Sequence, residues 1–398
     1  MFNNLYSHQK KNYEINYRFR NKYFIFFPLY FLFICFMSLV SSLLRLTKKK
    51  ITSLNSHVFF SFSENQQNIK KILNDNYLNF HFNFNRFTVK YPKSSINQNI
   101  FTFGLINGLN LNSLFKIFIL RDFKYFKINW FRVCNIVFIQ SVLERLKDQN
   151  KLVIIANDHS IYNLFIINWC KNNHIPTMYI QHAPVTDKFP PLRCDYNILF
   201  SKSSEDIYSK ISNINVNYKV YSDFRLIKFL KINNIDCIEK NTILICTNKL
   251  DELTSVKKYI DYFNIKGYKI TMRNHPSDKR NWNFTNTFVS KNDLYTDLSQ
   301  NNIILCNETA LILEGMICNK LIYKCSFSDF FDNYGYVKDK LVLKEYSNPQ
   351  NLHLDIINKS ISYDKSKLDY YTGDLSNHKI HIDELNNFIN NFKKKHEL

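Results

Sequence analysis

The residues best suited to chemistry stand directly after apolar segments in the C-terminal half of the chain. One segment is Ile270-Thr271-Met272-Arg273-Asn274-His275-Pro276, which ends in an Arg-x-His-Pro turn. In another, the apolar residues 303–306 stop at a polar group, and a helical pattern begins at once, over 308–316. A strand that feeds directly into a helix aims unpaired N–H groups and the positive end of the helix dipole at whatever lies above the sheet. The pattern predicts an anion site, here for a phosphate group.

Four side chains are predicted to bind this phosphate. Arg273 and His275 supply donors that stabilise charge on a departing phosphate, and Asn307 and Thr309 contribute at the helix start. Each also has a purely structural interpretation. His275 precedes a proline and suits a turn, while asparagine and threonine are good helix caps.

Three further residues are candidates for contacts with the donor. Lys249 follows an apolar strand at 242–247, and its ammonium group is expected to reach the phosphate. Glu308 is expected to accept a hydrogen bond from a ribose or a base, because its carboxylate repels a phosphate. Glu314 is a candidate for a sugar contact, with a solvated surface charge as the alternative.

A transfer reaction also needs a base that deprotonates an acceptor hydroxyl, and two residues of the N-terminal half qualify. Asp158 follows the strand 151–156, and His182 follows the strand 176–180. Histidine needs little tuning of its pKa to act near neutral pH, whereas a carboxylate must be partly desolvated. Asp158 also suits a helix cap and His182 a core histidine. Both residues stay open as base or orienting partner.

The glycine and acidic patterns exclude several common sites. The six glycines form neither GxGxxG nor GxxxxGK[ST], so a dinucleotide fingerprint and a P-loop are both absent. No acidic pair like the metal-binding Asp-x-Asp of the other large transferase fold follows a suitable strand, and Asp329 and Asp332 lie too late. We therefore predict no metal and no cofactor, with a nucleotide-activated sugar as substrate. The nine cysteines show no CxxC spacing, which favours reduced, buried thiols.

Alternating apolar strands and helical segments position these residues. Such alternation occurs over 151–206 and again over 242–324, and it predicts βαβ units around parallel sheets. A polar stretch near 231–241 separates the two sets. The fold class is therefore α/β, with two Rossmann-like domains facing a cleft. The expected domains are 51–235, which binds the acceptor, and 236–398, which binds the donor.

The N-terminus carries a different pattern. Residues 23–40 are apolar or weakly polar, and we assign residues 1–50 to a tail and a membrane helix at about 22–46. Basic residues flank it on both sides, so charge does not orient it. Spanning the bilayer, lying in its interface and a buried core helix are the three interpretations, and membrane attachment is preferred.

A net charge of +20 suits phosphorylated substrates or anionic lipid. The Lys and Arg residues are dispersed along the chain rather than clustered, so we exclude nucleic acid as a partner. A lipid-linked or growing glycan acceptor and the membrane surface are the expected partners, at the cytoplasmic face of the inner membrane.

The strand ending in Gln181-His182, Ser203-Ser204-Glu205, the Arg-x-His-Pro turn and Asn307 to Gly315 together carry a resemblance. Over roughly 150–335 the chain resembles GT-B-type transferases of bacterial surface polysaccharides. These include capsule-type Kdo and sialic acid transferases and teichoic-acid-type CDP-glycerol glycerophosphotransferases. The chain has Gln-His-Ala where Gln-His-Gly is common in that group.

The resemblance implies a metal-independent, membrane-associated glycosyltransferase for capsule, O-antigen or lipopolysaccharide, and the expected donor is CMP-linked. Transfer of an alditol phosphate from a CDP-alditol is an alternative on the same fold. A non-catalytic scaffold with a decayed transferase fold is another alternative. A sugar-nucleotide epimerase shares the fold, but the apolar N-terminal segment argues against it.

Overall fold

The computed structural model describes most of the chain. The described residues are 27–43, 57–70, 72–73, 77–84, 86, 88–90, 98–100, 135–144, 146, 151–158, 160–212, 216–234, 241–275, 278, 280–328, 332–360 and 362–396. Pro276 of the Arg-x-His-Pro turn and both ends of the predicted N-terminal helix lie outside these residues.

The N-terminal sheet has eight strands in the order β4-β3-β2-β1-β5-β6-β7-β8. The strands are β1 (His57–Ser61), β2 (Tyr77–Asn83), β3 (Thr88–Lys90), β4 (Gln98–Asn99), β5 (Val153–Ile155), β6 (Thr177–Ile180), β7 (Tyr196–Leu199) and β8 (Tyr218–Val220). The six strands from β2 to β8 in this order pair in parallel, while β3 and β4 are antiparallel additions at the edge. The central strands β1, β5 and β6 are buried along their whole length, as expected for parallel strands covered on both faces.

The C-terminal sheet has six strands in the order β11-β10-β9-β12-β13-β14, and all of its pairs are parallel. The strands are β9 (Thr242–Cys246), β10 (Lys269–Arg273), β11 (Thr287–Val289), β12 (Ile303–Cys306), β13 (Leu321–Cys325) and β14 (Glu345–Tyr346). After β9 the chain adds β10 and β11 on one side of that strand. It then adds β12, β13 and β14 on the other side. The order therefore reverses between β9 and β12, where ligands bind in open parallel sheets.

Helices connect the strands, and their caps follow local sequence. They are α1 (Phe27–Leu43), α2 (Glu64–Lys70), α3 (Ile161–Asn172), α4 (Lys202–Ile211), α5 (Leu253–Ile265), α6 (Leu294–Gln300), α7 (Leu311–Ile317), α8 (Pro349–Ile357), α9 (Leu368–Thr372) and α10 (His378–His396). Ser160, Ser201 and Asp293 each accept a hydrogen bond from the backbone N–H three residues later and so cap α3, α4 and α6. The prediction of two Rossmann-like domains is confirmed.

Two segments cross between the domains near their boundary. Phe224–Asn234 forms a long 3-10 helix, named here the connector, and its Leu226, Phe229 and Ile232 pack in the core of the C-terminal domain. The polar stretch expected as a linker near 231–241 thus begins inside this helix. The last helix, α10, packs Leu385 and Ile389 against the N-terminal sheet. The connector precedes residue 235 but packs in the C-terminal domain, and α10 follows residue 236 but packs on the N-terminal domain. The packing of these two elements therefore does not follow the limits predicted at 235 and 236.

The N-terminal helix α1 is a packed element of the N-terminal domain. Ile34 and Met37 are buried in the domain core, and Tyr30 Oη donates to Asn135 Oδ1 at 2.6 Å. The described part of this helix spans 17 residues and lies within the predicted segment of about 22–46. Among the residues that the structure describes, no helix is both long and apolar enough to cross a bilayer. The predicted spanning helix therefore has no support.

Candidate functional site

A crevice lies between the two domains at the carboxyl ends of β6 and β7. Its N-terminal wall consists of residues that follow these strands, and its C-terminal wall consists of α7 and a group of tyrosines. The lining residues are Gln181, Pro184, Val185, Ser201, Ser203, Ser204 and Asp223 on one side, and Leu313, Tyr334, Tyr336 and Tyr371 on the other. None of the predicted site residues is among these lining residues, although His182 directly follows Gln181 in the chain.

The two candidates for the base differ in exposure. His182 is half-buried and follows Gln181, a lining residue of the crevice. Gln181 Nε2 donates to Ser204 Oγ at 2.9 Å, and its Oε1 accepts from the N–H of Phe200, which fixes the end of β6 against β7. Asp158, by contrast, has no exposed surface. The pKa of Tyr179 on β6 is raised by burial and, to a smaller extent, by the negative charge of Asp158. Asp158 therefore interacts with groups in the interior of the domain.

Lys249 and His275 lie at the carboxyl ends of the neighbouring strands β9 and β10, and both are exposed. Desolvation of the His275 ring and the positive charge of Lys249 lower the pKa of His275, and Asp278 raises it to a smaller extent. His275 is therefore neutral near pH 7. It offers a hydrogen bond to an anion, while Lys249 carries the charge.

Arg273 makes hydrogen bonds within the C-terminal domain that stabilise its fold. Its Nη1 donates to Asp297 Oδ2 at 2.6 Å and to the carbonyl oxygen of Asn292 at 2.9 Å. Asp297 is buried and also accepts from Ser290 Oγ. This paired arginine ties β10 to α6. The structure gives it a role that the apolar pattern around 270–275 does not reveal.

Asn307 and Glu308 bind neighbouring loops. Asn307 Nδ2 donates to Asp251 Oδ1 at 3.0 Å and to Ser328 Oγ at 2.8 Å. The Glu308 carboxylate accepts from the N–H groups of Asn333 and Tyr334. Burial raises the pKa of Glu308, although these two hydrogen bonds work in the opposite direction. Both side chains therefore shape the loops around the site and have limited capacity left for a ligand.

The helix after β12 begins later than predicted. Helix α7 starts at Leu311 rather than at 308, its N-cap is Ala310, and this cap makes no side-chain hydrogen bond. Thr309 is half-buried in the turn before it. Glu314 is half-buried on α7; burial raises its pKa, and Arg225, Lys228 and Arg273 oppose that shift in this order. Glu314 therefore lies in a field of positive charge where the two domains meet.

Sequence reasoning missed Arg225, at the start of the connector. Its guanidinium pairs with Asp223, and its Nη1 donates to the carbonyl oxygen of His182 at 2.8 Å. Burial lowers the pKa of the Arg225 guanidinium, whereas the negative charges of Asp223 and then Glu314 raise it. The net result is a raised pKa. The signal that was present is an arginine two residues after an aspartate, shortly before the domain boundary predicted at 235 and 236.

Two polar atoms next to Lys249 and His275 keep unused hydrogen-bonding capacity. Thr247 Oγ1 and Asn274 Oδ1 are buried and have no partner within the described part of the chain. Each follows directly after the end of its strand, β9 or β10, and the two strand ends are adjacent because the N–H of Thr247 donates to the carbonyl oxygen of Arg273. An unmet buried polar group costs free energy, so this position favours a polar ligand.

For metals, the described ranges contain no group of three or more His, Cys, Asp or Glu side chains arranged to hold an ion. The polar groups at this edge include the ammonium group of Lys249, the imidazole of His275 and the hydroxyl group of Thr247.

Comparisons with known proteins place the fold. Neither the protein-family models nor the curated proteins gave a match. A UDP-N-acetylglucosamine 2-epimerase from Rickettsia bellii superimposes with a TM-score of 0.51 at 14% identity, over 85% of this chain and 98% of the epimerase. A histidine-to-asparagine variant of the wall teichoic acid polymerase TagF, soaked with CDPG, gives 0.53 at 12% identity, over 93% and 96%. A histidine-to-alanine variant of TagF gives 0.52 at 10% identity, over 95% and 99%.

At these identities the likeness concerns the fold. These structural neighbours are GT-B proteins, as the resemblance in the sequence predicts. The chain therefore has the GT-B fold, with two Rossmann-like domains and a crevice between them.

Proposed function

We propose that this protein transfers a group from a nucleotide-activated donor to a hydroxyl of a surface-polysaccharide acceptor. The observation that carries the proposal is the pair Lys249 and His275 at the carboxyl ends of β9 and β10, beside the reversal of strand order. A cation and a neutral imidazole at this position suit a nucleoside phosphate as leaving group. The adjacent Thr247 and Asn274 supply free hydrogen-bonding capacity for the donor.

In this proposal each domain supplies one half of the reaction. His182, at the crevice, removes the proton from the acceptor hydroxyl as that oxygen attacks the donor. The carboxylate of Asp158 is buried and is not the base. Its negative charge acts on the site from inside the N-terminal domain. The bond to the nucleoside phosphate breaks, and the phosphate departs toward Lys249 and His275. The frame around the departing phosphate consists of Arg273, Asn307, Glu308, Thr309 and Glu314.

Two donor classes fit this arrangement. A CMP-linked sugar follows from the resemblance of the sequence to capsule-type transferases. The second candidate is a CDP-alditol, whose alditol phosphate is transferred by attack on phosphorus. It is favoured by the likeness to TagF, two structures of which were soaked with CDPG. Both donors release CMP, so the two reactions differ in the product, and only alditol-phosphate transfer creates a phosphodiester visible by ³¹P NMR.

The nucleotide site is tested by thermal shift with CMP, CDP, UMP, UDP and GDP, with and without EDTA. We expect a cytidine nucleotide to raise the melting temperature, EDTA to leave the shift unchanged, and His275→Ala to weaken apparent affinity by about ten-fold. Full-length protein in mild detergent is required, because removal of residues 1–50 takes Ile34 and Met37 out of the core.

His174→Asn is the matched control, because His174 is exposed in a left-handed turn after α3 and an asparagine tolerates that backbone. Equal loss of binding in both histidine variants contradicts the assigned site. Binding of no nucleotide, together with no transfer from either donor class, favours the non-catalytic scaffold.

We also propose that α1 attaches the protein to the cytoplasmic face of the inner membrane, where a lipid-linked acceptor resides. One face of α1 packs on the domain, while Leu29, Leu32, Phe33 and Phe36 are 67%, 62%, 41% and 62% exposed. Their spacing of three and four residues places them on one side of the helix. Basic residues flank this segment in the sequence, among them Arg20, Lys22, Arg45 and Lys48–Lys50. An exposed apolar face with basic flanks suits the interface of an anionic bilayer.

Sedimentation with phosphatidylglycerol-containing vesicles tests this attachment. The combined substitutions Leu32→Ser and Phe36→Ser are expected to weaken vesicle binding by about ten-fold or more, since each removes apolar area from the bilayer contact. Ile265→Ser, at an exposed apolar position on the C-terminal domain, is the control. Unchanged binding of the double variant would remove α1 as the contact surface.

A further inference from the structure

The same local device occurs twice in this chain, once in each half. Asp223-x-Arg225 and Asp278-x-Arg280 each fold so that the arginine N–H donates to the aspartate Oδ1 at 3.1 Å. Arginine Nε donates to the same oxygen at 2.8 Å in the first and 3.0 Å in the second. In both, Nη2 pairs with the other carboxylate oxygen. We name these units the first and second Asp-x-Arg clamps.

A guanidinium held in this way has few directions left. The fork of two parallel hydrogen bonds fixes its plane, and the backbone hydrogen bond fixes the turn that carries it. Both aspartate side chains are only 3% exposed, so the carboxylates cannot easily rearrange. Any carbonyl that accepts from the outer edge of such a guanidinium is itself held in position.

The first clamp holds the loop that carries His182. Arg225 Nη1 donates to the carbonyl oxygen of His182 at 2.8 Å across 43 residues of sequence, and the guanidinium lies over the ring of Phe200. The N–H of Asp223 donates to the carbonyl oxygen of Thr372 at 2.7 Å. The His182 loop is therefore held in position, through Arg225 and Asp223, by segments at the boundary between the domains.

The second clamp holds the loop that carries Lys249. Arg280 Nη1 donates to the carbonyl oxygen of Asp251 at 2.6 Å, and Nη2 donates to that of Asn248 at 2.9 Å. Trp282 closes the unit, because its Nε1 donates to Asp278 Oδ2 and its ring lies under the Arg280 guanidinium. The two accepting carbonyls flank Lys249 in the chain.

We infer that the two clamps are positioning devices for the two halves of the transfer reaction. The first sets the loop of His182 for the acceptor, and the second sets the loop of Lys249 for the nucleotide. This inference rests on the proposed function for the roles of His182 and Lys249. Arg225 and Arg280 act through these residues, by holding backbone on either side of the reacting groups.

Arg225→Lys and Arg280→Lys test the clamps, because lysine keeps the positive charge but lacks the planar fork. Hydrogen exchange measured by mass spectrometry on the full-length protein reports on the loops directly. Arg225→Lys is expected to lower amide protection by about ten-fold in peptides covering 178–187 and to leave 246–253 unchanged. Arg280→Lys is expected to show the reverse, so each variant is the control for the other.

Kinetics then separate positioning from a general loss of structure. With the CMP- or CDP-linked donor that supports turnover, Arg225→Lys should lower kcat by about 10- to 100-fold with the donor KM within about two-fold. Arg280→Lys should weaken CMP binding by about ten-fold or more and change kcat at saturating donor by less than about three-fold.

Loosening of both loops by either variant, or equal effects of the two variants on kcat and on CMP affinity, would overturn the inference. A wild-type protein that turns over neither donor contradicts the proposed function instead. The exchange measurement still decides in that case whether each clamp holds its own loop.

Discussion

His182→Ala is expected to lower the rate of transfer by about 10²–10⁴-fold, the range over which a positioned general base acts. The nucleotide site lies on the other domain, so the CMP-induced rise in melting temperature should stay unchanged. The measurement is kcat with saturating donor, alongside a thermal shift with CMP. A loss confined to kcat places the histidine on the acceptor side of the reaction.

Asp158→Asn is the informative companion to this variant. Asp158 is fully buried, so the substitution removes a charge inside the domain without removing the proton acceptor at the crevice. We expect a smaller loss of kcat than for His182→Ala. If Asp158→Asn instead abolishes transfer while His182→Ala keeps most of the wild-type rate, the carboxylate is the base and the assignment is wrong.

Gly373→Ala is expected to destabilise the protein by about 3 kcal/mol, from backbone strain and steric overlap together. Gly373 ends α9 with φ 68° and ψ 176°, a conformation that is essentially restricted to glycine. An added Cβ would lie 2.8 Å from Ser222 Cα, 2.8 Å from the carbonyl oxygen of Tyr221 and 2.9 Å from that of Phe200. All three are backbone atoms, so no side-chain rotation relieves the overlap.

Gly267→Ala separates the two contributions, because Gly267 also has a positive φ of 80° but an added Cβ there meets nothing within 4 Å. It should cost only the strain, about 1 kcal/mol. The free energy of unfolding from urea titration compares the two variants. Similar costs at both positions would show that the close approach of Gly373 to the backbone of Phe200, Tyr221 and Ser222 contributes little.

Much of the fold follows from local patterns. The strands at 153–155, 177–180, 242–246 and 303–306 are short apolar runs between polar residues, and they stand where the sequence predicts them. Ser201 caps α4, and such a cap is local because it depends on a hydrogen bond to the N–H three residues later. The main local error concerns α7, which begins after the polar turn because Asn307 and Glu308 bind other loops.

The contacts that define the candidate site are long-range, and no periodicity encodes them. Arg273 stands in the predicted position, but its partner Asp297 belongs to a helix 24 residues away. Arg225 reaches His182 across 43 residues, and α10 returns to the N-terminal sheet after the second domain is complete.

Taken by itself, the sequence determined the α/β alternation, the parallel sheets, the ends of the strands at 153–155, 177–180, 242–246, 269–273 and 303–306, and the set of polar residues available there. Backbone conformation and apolar periodicity are local properties, so short stretches of chain specify them. Only the tertiary structure decided which polar residues are bound into the frame and which remain open to a ligand. Each buried charge or amide must find a partner, and that partner is chosen by how distant segments pack.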